Sequence, residues 1–87
     1  MSLNFITSAT FFDISTSEVT YKTPVDAAAF QLDDFQTSPS GATATAIVQS
    51  AANVIQISWD DDVDTDTVLA YSGAVPSVLQ PQTIGYT

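Results

Sequence analysis

The chain has 87 residues, with one base, Lys22, against ten acids, no histidine, no cysteine and a formal net charge of −9 at pH 7. Without an imidazole or a thiolate, Ser-His-Asp and Cys-His catalysis, Cys/His zinc sites, disulfides and thiol redox chemistry are excluded. A lone lysine cannot neutralise a phosphate ladder, so neither nucleic acid nor an anionic membrane is an expected partner.

Twelve threonines, eight valines and six isoleucines favour pleated, half-buried strands over helix interiors. Phe5 to Phe12 reads as a first strand, with Phe5, Ala9 and Phe11 on one face and Ile6 and Phe12 on the other. Asp13 to Ser17 turns the chain, and Glu18 to Lys22 alternates with Val19 and Tyr21 inward. Pro24 ends that strand, and Asp26 is placed to cap one short helical turn, Ala27 to Phe30. Phe30, Leu32 and Phe35 are the expected apolar anchors of the next stretch, while Asp33 and Asp34 face solvent or make turn hydrogen bonds. Ser38 to Gly41 is a turn, Thr43 to Val48 a strand, and Ser50 to Asn53 a second turn. Val54 to Trp59 returns with Ile55, Ile57 and Trp59 on one face. Asp60 to Asp66 holds half of the acids and is expected to be an exposed loop. Val68 to Tyr71 is a strand, Ser72 to Gln82 irregular, and Thr83 to Tyr86 closes the sheet. Six or seven short antiparallel strands in one domain, residues 1–87, predict a small all-β sandwich or barrel. Met1 to Thr10 has neither a basic region nor a continuous apolar stretch, so no ordinary secretion signal is expected.

Several of these motifs occur together in one family. Val19-Thr20-Tyr21, Pro24-Val25-Asp26, Phe30 and Asp34-Phe35, followed by NVIQISW and VLAYSG, resemble the bacterial Ig-like domains that repeat in surface and adhesive proteins. The similarity covers residues 5–73. Family members usually finish with an Asp-x-x-Gly-Asn turn, whereas this chain has AVPSVLQPQ from Ala74 to Gln82. The resemblance implies an Ig-like β-sandwich used for display, adhesion or assembly. Related modules also sit on phage particles, either fused to shell proteins or as separate decoration proteins.

No catalytic residue and no cofactor is predicted. Asp60, Asp62 and Asp64 alternate as calcium-loop ligands do, but Thr65 stands where that loop needs glycine and Tyr71 where it needs a bidentate glutamate. Adjacent carboxylates such as Asp33 and Asp34, or Asp60 to Asp62, diverge and suit glycoside chemistry poorly. Trp59, Tyr21, Tyr71 and Tyr86 offer two readings, a carbohydrate platform or core anchors, and core anchors are expected for Trp59 and Tyr21. Phe12 and Ile14, left over from the first strand, and the cluster Val75, Val78 and Leu79 are the candidate partner contacts. With lysine nearly absent, sheet edges need cover from aspartate, proline or another chain. For a cysteine-free chain with no expected secretion signal, the resemblance implies a non-enzymatic structural accessory protein of a phage particle. It would be a head decoration or cement protein at the virion surface, made in the host cytoplasm, with the major shell (capsid) protein and copies of itself as partners. The alternative is an adhesive Ig-like module recognising a glycan or a cell-surface protein.

Overall fold

The computed structural model describes residues 4–71 and 81–87. Seven strands form among them: β1 (Ile6–Asp13), β2 (Thr16–Tyr21), β3 (Phe35–Ser38), β4 (Ala44–Ala51), β5 (Val54–Trp59), β6 (Val68–Tyr71) and β7 (Gln82–Gly85). They build two antiparallel sheets, ordered β1-β2-β5-β4 and β3-β6-β7. That is the strand order of an immunoglobulin constant-type sandwich, ABED over CFG. The expected fold class is therefore observed. Two single 3-10 turns, Ala27–Ala29 and Leu32–Asp34, replace the one helical turn expected, and the Asp26 carboxylate caps the first through the Ala28 N–H at 3.0 Å.

The core follows from alternation where the strands are regular. Val19 and Tyr21 of β2, Ile55, Ile57 and Trp59 of β5, and Leu69 and Tyr71 of β6 all point inward and are buried. Phe30 joins Tyr21, Phe35 and Tyr71 in an aromatic cluster with ring centroids 5.3 to 5.9 Å apart. Ring pairs in this range contribute beyond the area they bury.

β1 departs from the expected alternation. Ile6 pairs with Tyr21 but Ser8 pairs with Thr20, so Thr7 is an extra residue and the strand is bulged. A bulge reverses the inward and outward faces beyond it. As a result Ile6 and Ala9 are both buried, and Phe5, expected inside, is exposed under the Lys22 ammonium. A second bulge lies between Phe11 and Asp13. Phe11 lies half-buried against the Tyr86 ring at 4.2 Å, while Phe12 faces solvent. Leu32, expected as an anchor, is also exposed.

β3 is an additional strand that apolar patterning does not reveal, because Thr37, its second inward residue, is polar. Its pairing with β6, Phe35 opposite Tyr71 and Thr37 opposite Leu69, sets it in the second sheet. The turn that follows contains a cis Ser38–Pro39 bond, and Gly41 adopts φ 67, a conformation that favours glycine.

The two edges of the four-stranded sheet carry side-chain amide contacts and bulges. Along β1, the Gln82 amide accepts from the Ile6 N–H (2.9 Å) and donates to the Ile6 carbonyl (2.8 Å), imitating a strand partner. Further along, Ala9 bridges Tyr86 in parallel, and the Thr87 N–H reaches the Ala9 carbonyl at 2.8 Å. β4, the other edge of that sheet, carries no charge but is irregular near both ends. There the Gln49 amide accepts from the Ala27 N–H at 2.8 Å and donates to the Val25 carbonyl at 3.1 Å.

Candidate functional site

The aromatic residues that offered a carbohydrate platform do not form one. Trp59, Tyr21 and Tyr71 are buried, and Tyr86 is half-buried. The core-anchor reading of Trp59 and Tyr21 is the correct one.

What these rings and their neighbours build instead is a chain of hydrogen bonds across the sandwich. The Trp59 indole N–H donates to Ser17 Oγ at 2.9 Å. Ser17 Oγ lies 3.0 Å from the Tyr86 hydroxyl, which lies 3.0 Å from Thr37 Oγ1. Thr37 Oγ1 donates to the Asp66 carboxylate at 2.7 Å. An indole can only donate and an ionised carboxylate can only accept, so the two ends set one direction for the whole chain. Every dipole runs from Trp59 toward Asp66, an arrangement in which neighbouring bonds strengthen one another. The path begins in the first sheet, on β5 and β2, and reaches β3 of the second.

Asp66 corrects the expected exposed loop at its last residue. It is only 4% exposed and also accepts the Ser40 N–H (3.0 Å) and the Ser40 hydroxyl (2.8 Å). Burial alone pushes the Asp66 carboxyl up, but the bonds from Thr37 and Ser40 outweigh it and hold the group below the usual aspartate value. The buried carboxylate thus ties the Ser38 to Gly41 turn to the start of β6. Its only trace in the sequence is position, because Asp66 stands two residues before an apolar strand while the other four loop acids do not.

Tyr21 shows the opposite situation. Its hydroxyl is buried without a hydrogen-bond partner among the described residues. Burial, then the nearby Tyr71 and Asp34, push its ionisation far up, so the phenol stays neutral. Tyr21→Phe deletes an unpaired polar atom and keeps the ring stacking. It is expected to leave stability unchanged or raise it by about 1 kcal/mol, measured as the urea midpoint.

The remaining loop acids gather at one end of the sandwich. Val63 is fully buried and its N–H donates to the Ile14 carbonyl at 2.6 Å, which fixes the loop beside the β1–β2 hairpin. Asp60, Asp61, Asp62 and Asp64 flank this anchor in sequence and are exposed. Asp60 accepts the Thr43 N–H at 2.9 Å, and Asp61 accepts the Asp62 N–H at 2.8 Å. Among the described residues, no three acidic side chains are placed to hold a metal ion together. On the hairpin itself Phe12 and Ile14 are 63% and 55% exposed, and Asp13 lies between them. Bonds from the Ser15 amide and the Thr16 hydroxyl hold the Asp13 carboxyl below its ordinary value. The structure therefore brings Phe12 and Ile14 together at a single exposed tip. Val75, Val78 and Leu79 lie outside the described residues.

A groove of about 320 Å³ opens between Leu32, Phe35, Ala42 and Ala44, with Asp33 the one ionisable group in its lining. Neither a protein-family model nor a characterised protein sequence matches the chain. Solved structures do match. The chain superposes on the N-terminal part of the bacterial S-layer protein SbsC with a TM-score of 0.77 and 20% identity, over 98% of this chain and 24% of that one. The fold is shared with bacterial surface-layer domains. The structure of S-layer protein rSbsC(31-844) gives a TM-score of 0.79 at 20% identity, and SbsC domains 1-6 gives 0.79 at 19%. In both, the match covers 98% of this chain and 13% of the longer one. The chain thus spans less than a quarter of the proteins it resembles. Their likeness agrees with the bacterial surface-protein side of the resemblance, and none of the three is a phage protein.

Proposed function

We propose that this chain is a non-enzymatic structural module of a surface assembly, working by shape and contact. The observation that carries this reading is the near-complete superposition on domains of a bacterial surface-layer protein. The burial of every tryptophan and tyrosine that offered a sugar platform, Tyr86 in part, supports it further. A fold does not fix a function, so the setting of the assembly is decided by experiment. Two settings suit the module. One is a bacterial surface layer, which the structural likeness favours. The other is the surface of a phage head, where it would act as a decoration protein on the major shell protein alongside copies of itself.

Sedimenting particles and cell envelopes separately from the source culture, then measuring this chain against the most abundant protein in each pellet, tests both. A fixed ratio that survives washing is expected in one of the two pellets. A constant ratio to the shell protein selects the phage setting, and a constant ratio to an envelope protein selects the surface layer. Recovery in the soluble fraction alone overturns the assembly reading and leaves the adhesive module to be pursued with glycan and cell-binding assays.

A further inference from the structure

The hairpin end combines two features, exposed apolar side chains and a concentration of acids. Phe12 near the end of β1 and Ile14 in the turn that follows both expose large apolar side chains. Five of the ten acids, Asp13, Asp60, Asp61, Asp62 and Asp64, are exposed at this end of the sandwich, Asp60 on the β4 side where its carboxylate accepts the Thr43 N–H. The only base, Lys22, stands beyond the far end of β2, whose six residues span roughly 20 Å at about 3.3 Å each. The charge is therefore polarised along the molecule. The 60–66 loop is tied down by the Val63 N–H on the Ile14 carbonyl and by Asp66 in the core, so its acids stay at the hairpin end.

We propose that this end docks a protein surface that offers an apolar socket rimmed by lysine or arginine. Charge complementarity selects that occupant. A second copy of this chain would bring the same five carboxylates and a single lysine, and like charges would meet. An uncharged apolar surface would desolvate the Asp13 carboxylate without supplying a counter-charge. Two side chains and a charged rim make a small contact, in which the apolar pair sets the residence time and the rim sets the rate of encounter. The inference rests on the assembly reading above and names the chemistry of the contact.

The test is an NMR titration of the intact chain with a short alternating Lys/Leu peptide, with Glu/Leu and Lys/Ser peptides of equal length as controls. The expected result is amide shifts confined to residues 11–15 and 60–64 on adding Lys/Leu, with weakening in high salt. The Lys/Ser and Glu/Leu peptides should each bind more weakly than Lys/Leu. Phe12→Ser with Ile14→Ser should weaken Lys/Leu binding by about tenfold or more, the loss of one or two anchor side chains. Asp61→Asn, Asp62→Asn and Asp64→Asn together should remove most of the salt dependence. All of these residues are exposed, so an unchanged thermal midpoint is expected to accompany each variant. Shifts that map elsewhere, equal binding of Glu/Leu, or full binding by the serine pair overturn the proposal. Co-sedimentation is read separately. A positive pellet with a failed titration removes only this contact, and the reverse removes only the assembly role.

Discussion

Trp59→Ala is expected to leave the chain unfolded or barely folded at room temperature. Trp59 is 5% exposed at the end of β5, and its indole is the first donor in the chain of hydrogen bonds that reaches Asp66. Truncating a buried tryptophan costs about 3 to 5 kcal/mol, and a domain of this size has about 5 to 15 kcal/mol in all. The loss of the donor adds to this, because Ser17 Oγ then sits in the core with one bond fewer. Urea unfolding followed by tyrosine fluorescence and circular dichroism measures the effect. Trp59→Phe separates its two parts, since it keeps most of the apolar volume and deletes the N–H. A folded Trp59→Ala chain with a near-native midpoint would contradict the assignment of Trp59 to the core.

Replacing Asp66 is expected to have the second-largest effect and to change how stability depends on acid. Asp66→Ala removes the acceptor shared by two hydroxyls and one amide. Hydrogen bonds to a charged group contribute about 1.5 to 3 kcal/mol each and do not simply add, so a loss of about 2 to 4 kcal/mol is expected. The sign of the pH effect follows from the lowered folded-state value. The carboxylate's contribution is complete above its unfolded value of about 3.9 and is lost as pH falls through the lower folded value. The thermal midpoint of the native chain should therefore drop below about pH 4. Asp66→Asn should start lower at neutral pH and fall less steeply. Asp13, also held below its ordinary value, titrates in the same direction in both chains, so the difference between the two curves reports Asp66. Parallel curves would show that the Asp66 charge contributes nothing to folding.

The parts of this fold that sequence patterning reveals are those where a strand is regular and one face is wet. Val19 and Tyr21, and Ile55, Ile57 and Trp59, alternate without interruption, and the bounds of β5 and β6 follow directly. Patterning fails where the period is broken. One extra residue at Thr7 inverts the face assignment of β1, and no local composition marks it. β3 is hidden because Thr37, its second inward residue, is polar, so that Phe35 alone marks the buried face, whereas the equally short β6 shows both Leu69 and Tyr71. The acidic loop misleads differently. Its charge predicts solvent, yet Val63 and Asp66 are pulled inside by a backbone bond and by three donors that lie 26 to 29 residues away in sequence. Of the candidate contacts, Phe12 and Ile14 were legible as leftover apolar residues. Their acidic surroundings were not, because that neighbourhood is made by the docking of the 60–66 loop against the hairpin.

The parallel contact between β1 and the residues after β7 has a mechanical consequence. Ile6 meets Gln82, and Ala9 meets Tyr86 and Thr87, so the two segments run the same way. Tension applied at residues 4 and 87 would draw these segments past each other in opposite directions. The two Gln82 amide bonds and the Thr87 to Ala9 bond lie across that direction, so they share the load and yield together. Bonds arranged end-on to a pull open one after another at low force, whereas this patch resists as a unit. A module joined to neighbours at both ends would pass strain along through this clamp while its core stayed closed.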